Sequence, residues 1–230
     1  MNTIKTALVT GTTSGIGFAI TKHLIDLGWR VVGIARGETP KEFLYLPSST
    51  YFHAKCDIRD YKEVARACSG AAFLSPVDKI DLVVNNAGVY HTEPFEGSQT
   101  SVIDLIVDTN IKGTMNVTHA VLEHMGDGSR MIFINSVAGF RPIPYEAVYS
   151  ASKHALTAFA NCIAQENPRI RVTSIHPGGV NTKIAQDNRP EDAEGFMVPE
   201  DIVKLVDMVI NMGPSVDVKT IVAFPTNEWH

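Results

Sequence analysis

Tyr149 and Lys153 stand at i and i+4 in YSASK, and Ser136 closes an apolar run upstream of them. On a helix, that spacing puts the phenol and the ammonium on one face, about a turn apart. A nearby ammonium favours the phenolate, so the pair predicts a tyrosine drawn from its usual value of about 10 towards neutrality. Such a tyrosine can exchange a proton with a carbonyl or alcohol oxygen near physiological pH. Ser136, at the end of an expected strand, could hydrogen-bond the same oxygen. Amphipathic helices often carry both residue types on solvated faces, so the pair alone leaves an ordinary helix surface open.

A second group is suited to an anionic ligand. TGTTSGIG carries Gly11, Gly15 and Gly17 straight after the first apolar run. Where such a turn joins a strand to a helix, backbone N–H groups and the positive helix end can cradle a pyrophosphate. A tight packing turn without a ligand is the alternative. Further on, VVGIARGE has Ala35 where a carboxylate usually grips an adenine ribose 2′-hydroxyl, and Arg36 follows it. A guanidinium can hydrogen-bond a 2′-phosphate, which favours NADP over NAD.

Short β-branched runs alternate with helical periodicity along the whole chain, as repeated βα units do. Strands are expected at 6–10, 30–35, 50–55, 81–86, 130–136, 169–176 and 218–224. Helices are expected at 16–27, 60–71, 100–124 with a break near Asp108, 149–165 and 199–212, with Gly28, Gly126 and Pro168 as stop signals. Several strands are apolar on successive residues, as in parallel sheets covered on both faces. The expected fold is α/β: a three-layer α/β/α sandwich with a Rossmann-like, doubly wound parallel sheet of about seven strands. Segments 37–49 and 180–197 lack regular pattern. The latter follows a strand's carboxyl end, where open α/β sheets bind ligands, and is expected to be a substrate loop.

The 230 residues, 44% hydrophobic, suit one core, so residues 1–230 are expected to form a single domain. The net charge of -5 and the lack of a Lys/Arg block argue against nucleic-acid or anionic-membrane binding. No apolar stretch approaches the roughly 20 residues of a membrane span, and no signal-peptide cleavage region is evident. A cytoplasmic protein is expected. Cys56, Cys68 and Cys162 form no disulfide or zinc pattern and are expected to be buried thiols.

Taken together, TGTTSGIG, NNAG at 85–88, TNIKG, the NS of Ser136, YSASK and HPGGVNT resemble the short-chain dehydrogenase/reductase family in order and interval, over about residues 6–182. The resemblance implies that Tyr149 is the general acid/base. Lys153 would lower its pKa and bind the nicotinamide ribose, and Ser136 would stabilise the substrate oxygen. Asn110 would hold a water linking Lys153 to solvent. For the cofactor it implies Gly11, Thr13, Ser14, Gly15, Ile16 and Gly17 around the phosphates, and Asp57 with Ile58 at the adenine. Asn86, Ala87 and Gly88 would lie along the adenine ribose, and Pro177, Gly178, Val180 and Thr182 over the nicotinamide. Arg36 would carry the NADP preference, because Ser14 stands where some NADP-preferring members have a basic residue. The ending VDVKTIVAFPTNEWH also lacks the glycine-rich close of many members. The implied partners are a small carbonyl or alcohol substrate and further copies of the chain, as homodimer or homotetramer, through helices near 111–124 and 149–165.

The other reading is a catalytically silent NADP(H)-binding regulatory or scaffold protein. A sensor has no need of a proton relay, and the set Asn110, Ser136, Tyr149 and Lys153 weighs against it. No metal is expected, since His119, Glu123 and His124 match no zinc motif. His176 reads as strand-end packing. Tyr90, Phe95, Phe140, Ile143 and Tyr145 could wall a substrate site or pack their own loops. Asp187, Arg189 and Glu191 are expected to face solvent.

Overall fold

The computed structural model describes residues 4–69 and 79–227. Aliphatic and β-branched runs form β1 (Thr6–Thr10), β2 (Arg30–Ala35), β3 (Tyr51–Lys55), β4 (Ile80–Asn85), β5 (Met125–Ile134), β6 (Arg171–Pro177) and β7 (Thr220–Ala223). They pair in the order β3-β2-β1-β4-β5-β6-β7, every pair parallel. The helices are α1 (Gly15–Asp26), α2 (Tyr61–Cys68), α3 (Thr100–Ile106), α4 (Thr114–Leu122), α5 (Ala147–Glu166), α6 (Lys183–Asn188) and α7 (Pro199–Asn211).

Strand alternation sorts the apolar residues into two cores. Ala7 and Val9 of β1 join Leu82, Val84, Leu24 of α1 and Val206 of α7 on one face. Leu8 joins Val83, Phe133, Val64 of α2 and Val117 of α4 on the other. Both faces are covered, which explains the apolar strands. From β1 the chain winds outward through β2 and β3, then returns to place β4 on the other side of β1. That reversal opens a crevice at the strands' carboxyl ends.

Several details depart from expectation. Instead of breaking near Asp108, the long helix passes from α3 through a π-helical stretch, Val107–Gly113, into α4. The wider turn keeps the helix continuous while resetting which side chains face inward, and Asn110 within it is buried. Gly126 stops no helix: α4 ends at Leu122 and Gly126 lies in β5, while Gly28 does take the expected left-handed backbone after α1. Cys56 and Cys68 are buried, but Cys162 is exposed on the outer side of α5. The 180–197 segment contains α6 and is closed at its base by a bridge between Val180 and Met197. Residues 70 and 71 of the expected second helix lie outside the described residues. Among the described residues, no helix is long and apolar enough to cross a membrane.

Candidate active site

The glycine turn leaves β1 with Gly11 at φ 75 and enters α1 with Gly15 at φ 57, a region that disfavours other residues. Gly17 lies beneath the turn, and a Cβ there would meet the Gly11 carbonyl and the Asn86 side chain. Asn86 ties the turn down by donating its Nδ2 to the Thr10 carbonyl at 2.8 Å, while Thr10 Oγ1 accepts from the amides of Asn86 and Ala87 at 2.9 Å. Thus NNAG holds the turn in shape as well as lining the cleft. Ser14 at the N-cap of α1 makes no side-chain capping bond, so its hydroxyl does not cover the helix's first N–H groups. An anion fits such an end.

Beside this turn, Arg36 leaves the end of β2 exposed and lines the cleft with Thr13 and Gly37. Asp57, after β3, is gripped by Arg59 through Nε at 3.0 Å and Nη2 at 2.6 Å. That bond, with lesser help from the charges of Arg59 and Arg36, holds the Asp57 carboxyl below its ordinary range. Arg59 balances Asp57 and Lys55 pairs with Glu38, so these two acids on either side of Arg36 are both compensated.

Across the cleft, α5 carries Tyr149 and Lys153 on its inner side. Lys153 is buried and donates to the Ile134 carbonyl at 3.3 Å. Asn135 fixes this part of α5 by donating to the Lys153 carbonyl at 3.2 Å and Thr157 Oγ1 at 2.9 Å. Ser136 lies beside the Tyr149 phenol on the cavity wall, and its hydroxyl accepts the Ala138 amide at 3.1 Å. Buried His176 contacts the Ser136 carbonyl through Nδ1 at 3.0 Å and stacks on Phe140. It packs at the strand end and also braces Ser136.

The expected lowering of Tyr149 is not what the surroundings produce. Burial pushes the phenol above its ordinary value, the Ser136 hydrogen bond offsets only part of this, and the Glu146 charge adds to the rise. Lys153 itself is pulled down to about 8 by burial. Its Nζ lies 5.6 Å from the Tyr149 ring centroid. Desolvation is the largest cause for both groups. Asn110 likewise turns to the backbone, exchanging hydrogen bonds with Val89 at 2.8 and 2.9 Å and donating to Ser152 Oγ at 3.1 Å. It pins the loop after β4 and does not line the cleft.

The cleft is a cavity of about 620 Å³. Of the residues expected around a cofactor, Gly11, Thr13, Ser14, Gly15, Ile16, Arg36, Asp57, Ile58, Asn86, Ala87, Gly88, Tyr149, Lys153, Pro177, Gly178, Val180 and Thr182 all line it. Gly17 and Asn110 support it from behind. Tyr90 and Ile143 reach it, whereas Phe95 and Tyr145 border a separate small depression and Phe140 packs on His176. Arg189, expected in solvent, lines the cavity partly buried, paired to Asp192 at 2.8 Å and set over the Phe196 ring, while Asp187, also on the lining, is exposed as expected. The sequence reading missed Glu146, a buried acid on the wall, because it stands just before the helix and outside its period.

A doubly wound parallel sheet with a glycine turn at its reversal point, facing a Ser-Tyr-Lys cluster, defines a nucleotide-binding α/β protein of oxidoreductase type. The short chain dehydrogenase family model matches residues 5–193, and the chain belongs to the short-chain dehydrogenase/reductase family. It is 33% identical to farnesol dehydrogenase of Aedes aegypti, over 97% of each sequence. It is 31% identical to dehydrogenase/reductase SDR family member 11 of Gallus gallus, again over 97% of each. Among solved structures, the closed form of serine dehydrogenase complexed with NADP+ superposes with a TM-score of 0.89 at 27% identity, covering 98% of this chain and 96% of that one.

Proposed function

We propose that the protein is an NADP-dependent oxidoreductase that moves a hydride between nicotinamide C4 and a carbonyl or secondary-alcohol carbon. The observation that carries this reading is that Ser136, Tyr149 and Lys153 line the same cavity as the glycine turn. Gly11, Ser14, Gly15 and Ile16 would hold the pyrophosphate, Arg36 the 2′-phosphate, and Lys153 the nicotinamide ribose. Bound there, the dinucleotide supplies or accepts the hydride.

The chain's own part is orientation and a proton. In reduction, Ser136 and Tyr149 donate hydrogen bonds to the carbonyl oxygen, and the Tyr149 O–H bond breaks as that oxygen becomes an alcohol. The phenolate left behind is stabilised by the Lys153 ammonium and regains a proton from solvent. Because burial keeps Tyr149 a phenol at neutral pH, the resting site is set for reduction. Relatives named for farnesol and for serine act on alcohols of opposite polarity. That supports the reaction class and leaves the choice of substrate to this cavity's side chains. The family resemblance further supports a homodimer or homotetramer, and the reading extends to a cytoplasmic single domain over residues 1–230 with a substrate loop at about 180–197.

The test is NADPH oxidation against ketones and diketones by wild type and Tyr149→Phe. Loss of a general acid should cost about a hundredfold or more in kcat, and equal rates would contradict the mechanism. For the cofactor, Arg36→Leu should weaken NADPH binding by about tenfold or more, the worth of a charge-assisted contact, while sparing NADH. Unchanged NADPH affinity would remove the preference.

A further inference from the structure

Glu146 is buried, lines the cavity beside Tyr149, and has no part in the proton transfer described above. It is the N-cap residue directly before α5, and both it and Tyr149 line the cavity. The Tyr90 hydroxyl donates to Glu146 Oε1 at 2.6 Å, and the Tyr90 ring meets the Tyr149 ring edge-on at 4.8 Å. Burial, and then the Glu146 bond, raise the Tyr90 phenol, so it remains a donor. The preceding residue, Tyr145, takes the left-handed backbone at φ 67, uncommon outside glycine. Its carbonyl accepts the Glu93 amide at 2.8 Å, from the same loop that carries Tyr90. A strained residue and a phenol from one loop therefore hold a carboxylate against the substrate end of the cavity.

A buried acid is costly unless it is hydrogen-bonded, and Tyr90 supplies one such bond at the cavity wall. We propose that Glu146, braced by Tyr90, is the specificity residue of this site and receives a hydrogen-bond donor carried on the carbon next to the reacting one. The substrate class is then vicinal diols and amino alcohols, or the corresponding hydroxy- and aminoketones. This rests on the dehydrogenase reading above. Arg189 faces the same space, held by Asp192, and Lys153 lies over the Tyr149 ring.

Three alcohols of matched shape test it: methylbutanol, vicinal butanediol with a hydroxyl in place of the methyl, and vicinal aminobutanol with an ammonium there. Wild type should prefer the diol and the amino alcohol over methylbutanol by about tenfold in kcat/KM, the effect of one hydrogen bond to a charged group. In Glu146→Leu both ratios should fall to within about twofold of one, and in Glu146→Gln, nearly isosteric, the amino alcohol should lose more than the diol. Tyr90→Phe should lower both ratios in part. Calorimetric titration of the same compounds into the NADP+ complex, or into the protein alone, reads the preference as Kd without turnover. Absence of turnover with all three would thus fault the dehydrogenase reading and leave this one to the binding ratios. Wild-type ratios near one, or ratios unmoved by Glu146→Leu and Glu146→Gln, would overturn it.

Discussion

Lys153 keeps an ammonium where charge is disfavoured. Burial brings it down from 10.5 to about 8, so the unfolded chain binds the proton more tightly than the folded one. Stability should then rise with pH between about 8 and 10.5, and at pH 7 the buried charge costs on the order of 3 kcal/mol. Lys153→Met should remove that cost while abolishing turnover. Its Tm should exceed that of wild type at pH 7, and the gap should close as pH approaches 10.5. A lower Tm at pH 7 would mean that the Ile134 contact outweighs desolvation. For Tyr149, the charged neighbours are Glu146, which raises it, and Lys153 over its ring, while burial disfavours charge on His176. Alcohol oxidation needs the phenolate, so its rate should climb with pH. Glu146→Gln removes a negative charge and should move that limb to lower pH in a kcat profile; a shift the other way would contradict the assignment.

Among the elements, the glycine turn and the π-helical stretch each hold something for the site. Gly17 sits where its own turn and Asn86 leave no room for a methyl, whereas Gly28 needs only its left-handed backbone and meets no atom within 4 Å. Gly17→Ala should therefore cost about 1–3 kcal/mol through overpacking and also weaken NADPH, because the turn itself must move. Gly28→Ala should cost about 1 kcal/mol with NADPH affinity intact. Thermal melts and NADPH titrations of the two variants separate these cases, and equal affinities would show that the turn tolerates the displacement. Within the π-helical stretch the Asn110 side chain turns to Val89 and Ser152. A straight α-helical period cannot foretell which way a widened turn aims its side chains.

At the scale of the whole molecule, cofactor and copies of the chain should both add stability. A ligand at a hundred times its Kd adds about 2.7 kcal/mol to a protein that binds it only when folded. For a chain of this size that is about 5–10 °C in Tm. NADPH should give that rise and equal NADH a smaller one; the reverse order would contradict Arg36 as a phosphate partner. The outer side of α5 presents small exposed residues, including Ala151 and Ala158. Sedimentation should give a dimer or tetramer, and Ala158→Arg should reduce its mass. A wild-type monomer at all concentrations would exclude the proposed assembly.

The parallel sheet, its seven strands and the glycine turn were legible in the sequence because each rests on local chemistry: β-branched runs, apolar strands under two helical layers, and glycines where the backbone turns left-handed. Tyr149, Lys153 and Ser136 were legible for the same reason, since the spacing within a helix and the end of a strand are local facts. The direction of the Tyr149 shift was not, because desolvation depends on everything packed around the phenol. Nor was the pairing of Glu146 with Tyr90, or the turning of Arg189 into the cavity. Those contacts join residues far apart in the chain, and only the tertiary fold decides which of them share a wall.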